Sequence, residues 1–304
     1  MPAILIEDLK KHYGEVKAVD GINLEVEEGE IFGILGPNGA GKTTTLEMVE
    51  TLRKPDSGRI QVLGMDVGEE PKAIKESIGV QLQTTVFFDK LKVRETIDLF
   101  CSFYPRTLSV DKLIDIATLG DKADAMVSDL SGGQHKRLSI ALALVNDPRI
   151  VFLDEPTTGL DPQARRRIWE IVEGLRDEEK TVVITTHYIE EAEYLCDRVA
   201  VMDHGRIVAW GTPDDLIDEY VSDGIITFRL TRPVEEGIIE KIEGVKSLSR
   251  RDDEYMVITP TPQKTLLSIF AMAHDQGVEA DDVNMKRATL EDVFLKITGR
   301  RIRE

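Results

Sequence analysis

Apolar residues along this chain fall into two patterns that alternate with each other. Short apolar runs at 30–35, 149–153 and 181–185 are typical of strands buried on both faces of a parallel sheet. Between such runs lie longer stretches with helical periodicity, for example 163–177. Strands that alternate with helices in this way predict an α/β fold around a mostly parallel sheet.

Weaker patterns complete the first part of the chain. Shorter apolar runs bounded by turn-forming residues predict further strands, and amphipathic stretches predict further helices. The expected strands are 4–9, 22–26, 59–63, 78–83, 198–203 and 206–211, and the expected helices are 43–52, 71–77, 189–196 and 213–221. The strand at 78–83 ends on Gln83.

The region from Thr84 to about residue 148 differs from its surroundings, because helical periodicity continues there without an evident strand. The expected helices are 93–100, 110–119 and 136–145. We interpret this region as a helical insertion into the α/β core. Phe87, Phe88 and Phe100 are expected to be core residues, and a partner surface at the corner formed by the first two is the alternative.

The composition changes again at Gly224. The expected strands after it are 225–230, 245–250, 255–259 and 283–287, and the expected helices are 234–242, 263–276 and 289–298. The order βαββαβ, followed by a helix, predicts a small α+β unit of the ferredoxin-like type. We therefore expect two domains, 1–222 and 223–304.

One stretch of the first domain has the pattern G-x-x-x-x-G-K-[ST] of a phosphate-binding loop. It reads Gly36-Pro37-Asn38-Gly39-Ala40-Gly41-Lys42-Thr43-Thr44 and stands between a predicted strand and a predicted helix. Glycines let the backbone wrap around a polyphosphate, and the helix N-terminus favours its negative charge. Lys42 can reach the β- and γ-phosphates, and the Thr43 hydroxyl can ligate Mg²⁺. A chance glycine-rich turn would lack this strand–loop–helix setting.

A second small-residue turn, Leu130 to Gln134, precedes a predicted helix. The Ser131 hydroxyl, the N–H groups of Gly132 and Gly133 and the helix dipole together make a second candidate anion site. The alternative is an ordinary helix cap, which needs the same residue types.

Two acidic residues follow a buried strand, where α/β sheets place their ligands. Asp154 can hold Mg²⁺ through water, and Glu155 can polarise a water for attack on a γ-phosphate. His187 ends another strand and is a candidate γ-phosphate sensor. The alternatives are a solvated acidic turn and a capped surface histidine.

The remaining candidates are weaker. Tyr13 lies 23 residues before the phosphate loop, and its ring can stack on a nucleotide base or be a partly buried tyrosine. The run 165–167 of three arginines is expected to be a solvated helix face. Cys101 and Cys196 have no metal-ligand spacing, which favours ordinary thiols in a reducing compartment.

The chain has 304 residues, 41% of them apolar, and a net charge of −18. This charge limits the classes of partner molecule that we expect. We expect no nucleic-acid partner, because a nucleic-acid footprint would be basic. Solubility or a salty cytoplasm accounts for the acidity, which still permits docking onto a basic protein. No apolar run approaches a membrane span and the N-terminus lacks a signal-peptide pattern, so a cytoplasmic protein is expected.

Taken in order, these motifs resemble those of the ATP-binding-cassette ATPases, the nucleotide-binding subunits of ABC transporters. The resemblance covers about residues 1–221. The phosphate loop matches the Walker A motif, residues 130–134 the signature sequence, and residues 150–155 the Walker B motif with its catalytic glutamate. Asp161 belongs to a matching D-loop, Gln83 to the Q-loop, His187 is the switch histidine and Tyr13 the adenine-stacking aromatic.

The resemblance implies a P-loop NTPase cassette, which has a mixed sheet with a RecA-like core, antiparallel N-terminal strands and a helical subdomain at about 84–148. It implies ATP and Mg²⁺ as cofactors, with Thr43, Gln83 and Asp154 near the metal. Lys42, Gln83, Glu155 and His187 would serve catalysis. The signature sequence would face the γ-phosphate bound by a second cassette, so that two ATP molecules lie between two subunits. That subunit is expected to be an identical copy, with a sister cassette as the alternative.

The tail narrows the family, because residues 225–304, with Leu290-Glu291-Asp292-Val293-Phe294, resemble those of ABC-2-type exporters of the daunorubicin-resistance group. The implied function is ATP hydrolysis that powers export of a drug, antibiotic, ion or lipid-like substrate. A separately encoded transmembrane permease would hold the subunit on the cytoplasmic face. His135 departs from the usual Lys, Arg or Gln, and we expect no loss of activity from it.

Two other functions remain as alternatives. A cassette ATPase acting on ribosomes or DNA is disfavoured by the single cassette, the absence of a long heptad run and the acidic charge. A purely regulatory nucleotide-binding module is disfavoured by the presence of Glu155 and His187.

Overall fold

The computed structural model describes residues 2–83, 86–221, 223–251, 253–286, 288–300 and 302. Within these residues the chain forms two compact units that divide between residues 213 and 214. The expected domain boundary at Ser222 lies outside the described residues and stays a prediction. Thr84, the expected start of the helical insertion, and residue 287, the expected end of a strand, also lie outside them.

The strands of the first unit form two sheets. They are β1 Ile4–Tyr13, β2 Val16–Val26, β3 Ile31–Leu35, β4 Ser57–Val62, β5 Met65–Asp66, β6 Ile78–Gln81, β7 Ile150–Asp154, β8 Thr181–Thr186, β9 Arg198–Asp203 and β10 Arg206–Gly211. One sheet is antiparallel and has the order β2-β1-β4-β5. The other has the order β10-β9-β3-β8-β7-β6 and is parallel except for the edge strand β10, so it is mixed.

Helices connect these strands. They are α1 Lys42–Val49, α2 Pro71–Ser77, α3 Val93–Cys101, α4 Val110–Ile116, α5 Gly132–Ala143, α6 Pro162–Asp177 and α7 Ile189–Leu195. Helix α8, Pro213–Tyr220, follows β10 and begins at the division between the two units. Residues 86–149 contain α3, α4 and α5 with two short 3-10 turns and no strand. No helix among the described residues combines the length and the apolar character needed to cross a bilayer.

Burial is greatest in the middle of the mixed sheet. Every residue of β3, β7 and β8 is buried, because the sheet is covered on both faces. These strands are neighbours and run in the same direction, so their carboxyl ends lie side by side. The loops after those ends are therefore held close together on a rigid base.

The elements differ from the sequence-based expectation where side chains are not buried. Strands β1 and β2 extend to Tyr13 and Val16, beyond the expected 4–9 and 22–26. The outer part of this hairpin pairs through its backbone and leaves most of its side chains only partly buried or exposed, so the apolar pattern missed it. Strand β5 has two residues and left no pattern.

The helix after the signature sequence begins at Gly132 and not at the expected residue 136. The cause is a reciprocal cap. The Ser131 hydroxyl accepts from the Gln134 N–H (3.3 Å), and the Gln134 side chain accepts from the Ser131 N–H (2.8 Å). The two glycines of the signature sequence therefore belong to the first turn of α5.

The second unit is built on an antiparallel sheet in the order β12-β13-β11-β14. Its elements are β11 Gly224–Leu230, α9 Glu236–Glu240, β12 Ser247–Arg251, β13 Glu254–Thr259, α10 Pro262–Asp275, β14 Ala280–Lys286 and α11 Leu290–Thr298. Its apolar core includes Ile226, Phe228, Tyr255 and Ile269. The rings of Phe228 and Tyr255 stack with their centroids 5.4 Å apart.

Glu50, at the end of α1, is an acidic residue with only 2% of its surface exposed. Burial, with the negative charges of Asp154 and Glu47, raises the pKa of its carboxyl to about 8. The folded chain therefore keeps a proton that the unfolded chain loses above its ordinary pKa of 4.5. Stability should fall as pH rises from about 5 to 8, by at most about 1.4 kcal/mol per pH unit.

We expect Glu50→Gln to remove this dependence, so that the variant gains stability over the wild type as pH rises. Denaturant unfolding at pH 5, 6.5 and 8 measures the difference. The exposed Glu76→Gln is the control and should follow the wild type. Wild-type and Glu50→Gln curves that stay parallel across this range would contradict the account.

Candidate functional site

Polar side chains gather at the carboxyl ends of four neighbouring strands, β3, β8, β7 and β6. Lys42 follows β3, His187 follows β8, Glu155 follows β7, and Gln83 stands two residues after β6. Parallel strands place their ligands at this edge of a sheet. The sheet order therefore brings together four residues that are far apart in the sequence.

The phosphate loop joins β3 to α1 in a path that only glycine permits at two positions. Gly41 has a φ of 108°, and a Cβ there would lie 2.2 Å from a backbone carbonyl oxygen. A Cβ at Gly36 would lie 2.3 Å from another. The loop closes around Lys42, whose Nζ donates to the carbonyls of Gly36 (2.7 Å) and Pro37 (3.2 Å). Ala40 N–H donates to the Pro37 carbonyl at 3.1 Å.

A cavity of about 620 Å³ lies over this loop. It is lined by Tyr13, Val16, Lys17, Ala18, Asn38, Gly39, Gly41, Lys42, Thr43, Thr44, Gln83, Glu155 and His204. The side chain of Tyr13 is 42% exposed, with the Arg53 guanidinium 5.4 Å from its ring centroid. The cavity is large enough for a nucleotide and presents an aromatic ring and a phosphate loop to it.

Glu155 is the centre of the polar contacts and is only 5% exposed. Its carboxylate lies 3.3 Å from Lys42 Nζ and 3.3 Å from His187 Nδ1. It also accepts hydrogen bonds from the Gln83 amide (3.3 Å) and the Thr158 hydroxyl (3.1 Å). The His187 nitrogen is buried and has no aligned hydrogen-bond partner among the described residues.

Opposing effects set the pKa values of this pair. Burial acts to raise the pKa of Glu155, but the charges of Lys42 and His187 with the hydrogen bonds outweigh it, and the net pKa lies below its ordinary value. Burial lowers the pKa of Lys42, and the charge of Glu155 opposes that effect. Glu155 is therefore a carboxylate at neutral pH, which is the form that can polarise a water.

The backbone of Glu155 has a φ of 46°, in the left-handed region that residues with a side chain rarely adopt. Its N–H points at the carbonyl (3.2 Å) and hydroxyl (3.0 Å) of Thr185. Its carbonyl accepts from Lys136 Nζ at 3.4 Å, and the same amine donates to the Gln83 carbonyl at 3.1 Å. These contacts hold Glu155 in a conformation that is unfavourable by itself.

Lys136 is the site residue that the sequence did not reveal. It stands on α5 and is part-buried, and burial lowers the pKa of its amine. In the sequence it is one lysine of an amphipathic helix, and such a lysine is ordinarily solvated. Only the packing of α5 against the ends of β6 and β7 brings it to the site.

Thr43 and Asp154 provide oxygen ligands beside the phosphate loop. The Thr43 hydroxyl lies 3.1 and 3.3 Å from the two carboxylate oxygens of Asp154, and the Thr185 hydroxyl donates to Asp154 as well. The described residues contain no group of three His, Cys, Asp or Glu arranged for a metal. A small divalent cation here would complete its coordination with phosphate and water oxygens, as Mg²⁺ commonly does.

The signature sequence does not line this cavity. The residues Ser131, Gly132, Gly133 and Gln134 form the capped start of α5, and Asp161 caps α6 by accepting from the Ala164 N–H at 2.9 Å. None of the five is among the residues that line the cavity in the described part of the chain. One chain thus has a nucleotide-sized site and, separately, a capped helix start formed by the signature sequence.

Comparisons with known proteins show the family of this chain. Residues 19–158 match the profile of the ABC transporter family. A daunorubicin resistance ATP-binding protein, DrrA3 of Streptomyces coeruleorubidus, is 37% identical over 99% of this chain and 98% of its own. Nod factor export ATP-binding protein I of Rhizobium sp. (strain N33) is 38% identical over 98% and 97%.

A solved structure supports the same conclusion for the fold. The ATP-binding cassette MJ0796, described as a dimer in a post-hydrolysis state bound to ADP and Pi, superposes with a TM-score of 0.63 and 28% identity. The match covers 69% of this chain and 98% of the other. The predicted P-loop cassette with a mixed sheet is thereby confirmed. This chain belongs to the ABC transporter family, as the ATP-binding and ATP-hydrolysing subunit of an exporter-type transporter.

Proposed function

We propose that Glu155 polarises the water that attacks the γ-phosphate of ATP. This proposal rests on the position of the buried Glu155 carboxylate beside the phosphate loop. The carboxylate lies 3.3 Å from Lys42 Nζ and 3.3 Å from His187 Nδ1. A water held by this carboxylate would lie next to any γ-phosphate that Lys42 binds. Glu155 is ionised at neutral pH, which is the form that can accept a proton from the water.

The other residues have separate tasks in this proposal. Lys42 exchanges its contact with Glu155 for the β- and γ-phosphates, which leaves the carboxylate for water. His187 then holds the γ-phosphate, Gln83 orients the water or metal, and Tyr13 stacks on adenine. Asn38, Gly39 and the rest of the loop bind phosphate through backbone N–H groups.

We also propose Mg²⁺ as the metal, held by Thr43, by Asp154 through water and by Gln83. These residues offer oxygen atoms, the ligand type that Mg²⁺ prefers. The ion would neutralise charge that develops on the β- and γ-phosphate oxygens.

Glu155→Gln keeps the size of the side chain and removes its basicity. We expect it to lower the turnover number for ATP by a factor of about 10² or more, since a general base contributes about 10²–10⁴. ATP should still bind, and the ATP-bound dimer should accumulate in light scattering. Exposed Glu170→Gln on α6 is the matched control. An unchanged rate in Glu155→Gln would remove this residue as the base.

A second cassette completes the site in this proposal. Ser131 and its neighbouring glycines do not line the nucleotide cavity of their own chain. In this proposal they contact the nucleotide that is bound by a second cassette. Glycine N–H groups at the start of α5 would meet the γ-phosphate bound by the partner, with Asp161 nearby. ATP then joins two subunits, and its hydrolysis releases them.

We further propose that a transmembrane permease holds this dimer on the cytoplasmic face and carries the substrate, a drug, antibiotic, ion or lipid-like molecule. Relatives named for daunorubicin resistance and Nod factor export support this class of substrate.

The second unit has the element order and sheet order of a ferredoxin-like fold, and we propose that fold for it. Its role would be to stabilise or regulate the dimer.

Apolar side chains exposed on both sides of Gln83 support a docking place for the permease. Val86 is 91% exposed, Phe88 is 61% exposed and Leu82 is 47% exposed. The expectation that Phe88 lies in the core is therefore wrong. Neighbouring exposed apolar side chains commonly mark a protein interface. Because these side chains are close in sequence to Gln83, a permease helix that docks on them would affect the position of Gln83 in the nucleotide site.

A photo-crosslinking residue at position 88 should capture a polytopic membrane protein in cell membranes, with ATP hydrolysis of the isolated subunit unchanged. The same probe at Leu267, which is 70% exposed on α10, is the control for apolar exposure. Membrane-protein crosslinks from position 267 and none from position 88 would refute this placement.

A further inference from the structure

Glu191 is a fully buried carboxyl group that lies outside the nucleotide cavity. It stands on α7, one helical turn after His187. Its Oε1 accepts two hydrogen bonds, from the Thr157 hydroxyl (2.8 Å) and from the Trp169 indole N–H (3.1 Å). Thr157 is 0% exposed and Trp169 is 5% exposed, so the whole cluster is shielded from water.

These contacts join three segments of the catalytic unit. Thr157 lies two residues after Glu155 and begins the turn that leads to Asp161. Asp161 belongs to the D-loop. Trp169 lies on α6, which follows that turn, and Glu191 lies on the helix that follows His187. One carboxyl group therefore connects the segment after Glu155 with the segment after His187.

Simple packing does not account for a glutamate at this place. Burying a carboxyl is unfavourable unless it is hydrogen-bonded, and its second oxygen, Oε2, has no partner among the described residues. Burial raises the pKa of Glu191, while hydrogen bonding with Thr186, Thr157 and Trp169 and the charge of Arg165 oppose that effect. An apolar side chain in the same space would leave the buried Thr157 hydroxyl and Trp169 N–H without this acceptor, so the two hydrogen bonds account for the glutamate.

A second contact connects the same two segments. The Arg165 guanidinium of α6 lies 4.2 Å from the ring centroid of Tyr188, the residue after His187. Arg165 is also 3.7 Å from the carboxylate of Glu190. Arg165, in the first turn of α6, thus contacts the residues that follow His187. Glu191 connects the same segment to the buried side of α6. We call His187 and Tyr188 the His187 turn.

We propose that Glu191 is a positioning residue that ties the His187 turn to the D-loop, so that the placement of His187 beside Glu155 depends on the position of the D-loop. This inference rests on the proposed function, in which His187 holds the γ-phosphate. Because the D-loop carries Asp161 toward a second cassette, docking of that cassette is transmitted to His187 of the same chain. Nucleotide binding by Lys42 and Tyr13 does not depend on this connection.

The test separates turnover from binding. Thr157→Val removes the hydrogen bond between Thr157 and Glu191, and Glu191→Leu removes that bond and the one from Trp169. Each variant should lower kcat for ATP about tenfold or more, with KM and ATP affinity within about twofold. Thr157→Ser keeps the hydroxyl donor, and Glu191→Gln keeps an oxygen acceptor. Both variants should therefore have a kcat near the wild-type value. The double variant Thr157→Val with Glu191→Leu should be no slower than the slower single variant, because both remove one connection.

Several results would overturn the inference. These are unchanged kcat in Thr157→Val, equal losses of kcat and ATP affinity, or independent effects that multiply in the double variant. If Glu191→Leu does not fold in thermal unfolding, Thr157→Val with its serine control decides the question. His187→Ala distinguishes this inference from the proposed function. Full hydrolysis in that variant contradicts the role of His187, whereas an inactive His187→Ala beside a fully active Thr157→Val contradicts Glu191 alone.

Discussion

The contact between Lys42 and Glu155 is the interaction on which the rest of the site depends. The lysine is 4% exposed and the glutamate is 5% exposed, with Nζ and Oε1 3.3 Å apart. A buried charge without a partner is strongly destabilising, so Lys42 can give up this contact only where another anion takes the place of Glu155. The phosphates of ATP carry such a negative charge. In the proposed function, this exchange at Lys42 frees the Glu155 carboxylate to hold water.

The order of the parallel strands makes that exchange local. Strand β8 runs between β3 and β7, so the His187 turn lies between the phosphate loop and Glu155. The buried strands fix these ends, while the unfavourable φ of Glu155 is held by Thr185 and Lys136. Lys136 belongs to α5, whose first turn is the signature sequence. The helix that begins in the signature sequence thus also holds the backbone of Glu155 in its own chain.

Sequence patterns predicted the parts of this structure that depend on local chemistry. The bounds of α2, β9 and β10 agree with their predicted ranges, because turn residues delimit each element. The outer hairpin of β1 and β2 was missed, since backbone pairing without full burial leaves no apolar alternation. The motif residues were found by spacing, and their catalytic roles stay predictions. Lys136 and Glu191 carry no such spacing, because only long-range packing gives them their partners.

We propose that each nucleotide site is half of a composite site, which needs Lys42 from one chain and Ser131 from another. Mixing two variants tests it, each also carrying Glu155→Gln to prevent hydrolysis: Lys42→Ala and Ser131→Arg. Neither alone should retain ATP in a dimer, whereas the mixture should retain about one ATP per mixed dimer, because one site is intact. Ser102→Arg, exposed after α3, controls for the added charge. A mixture that retains no more ATP than its separate components would contradict the account.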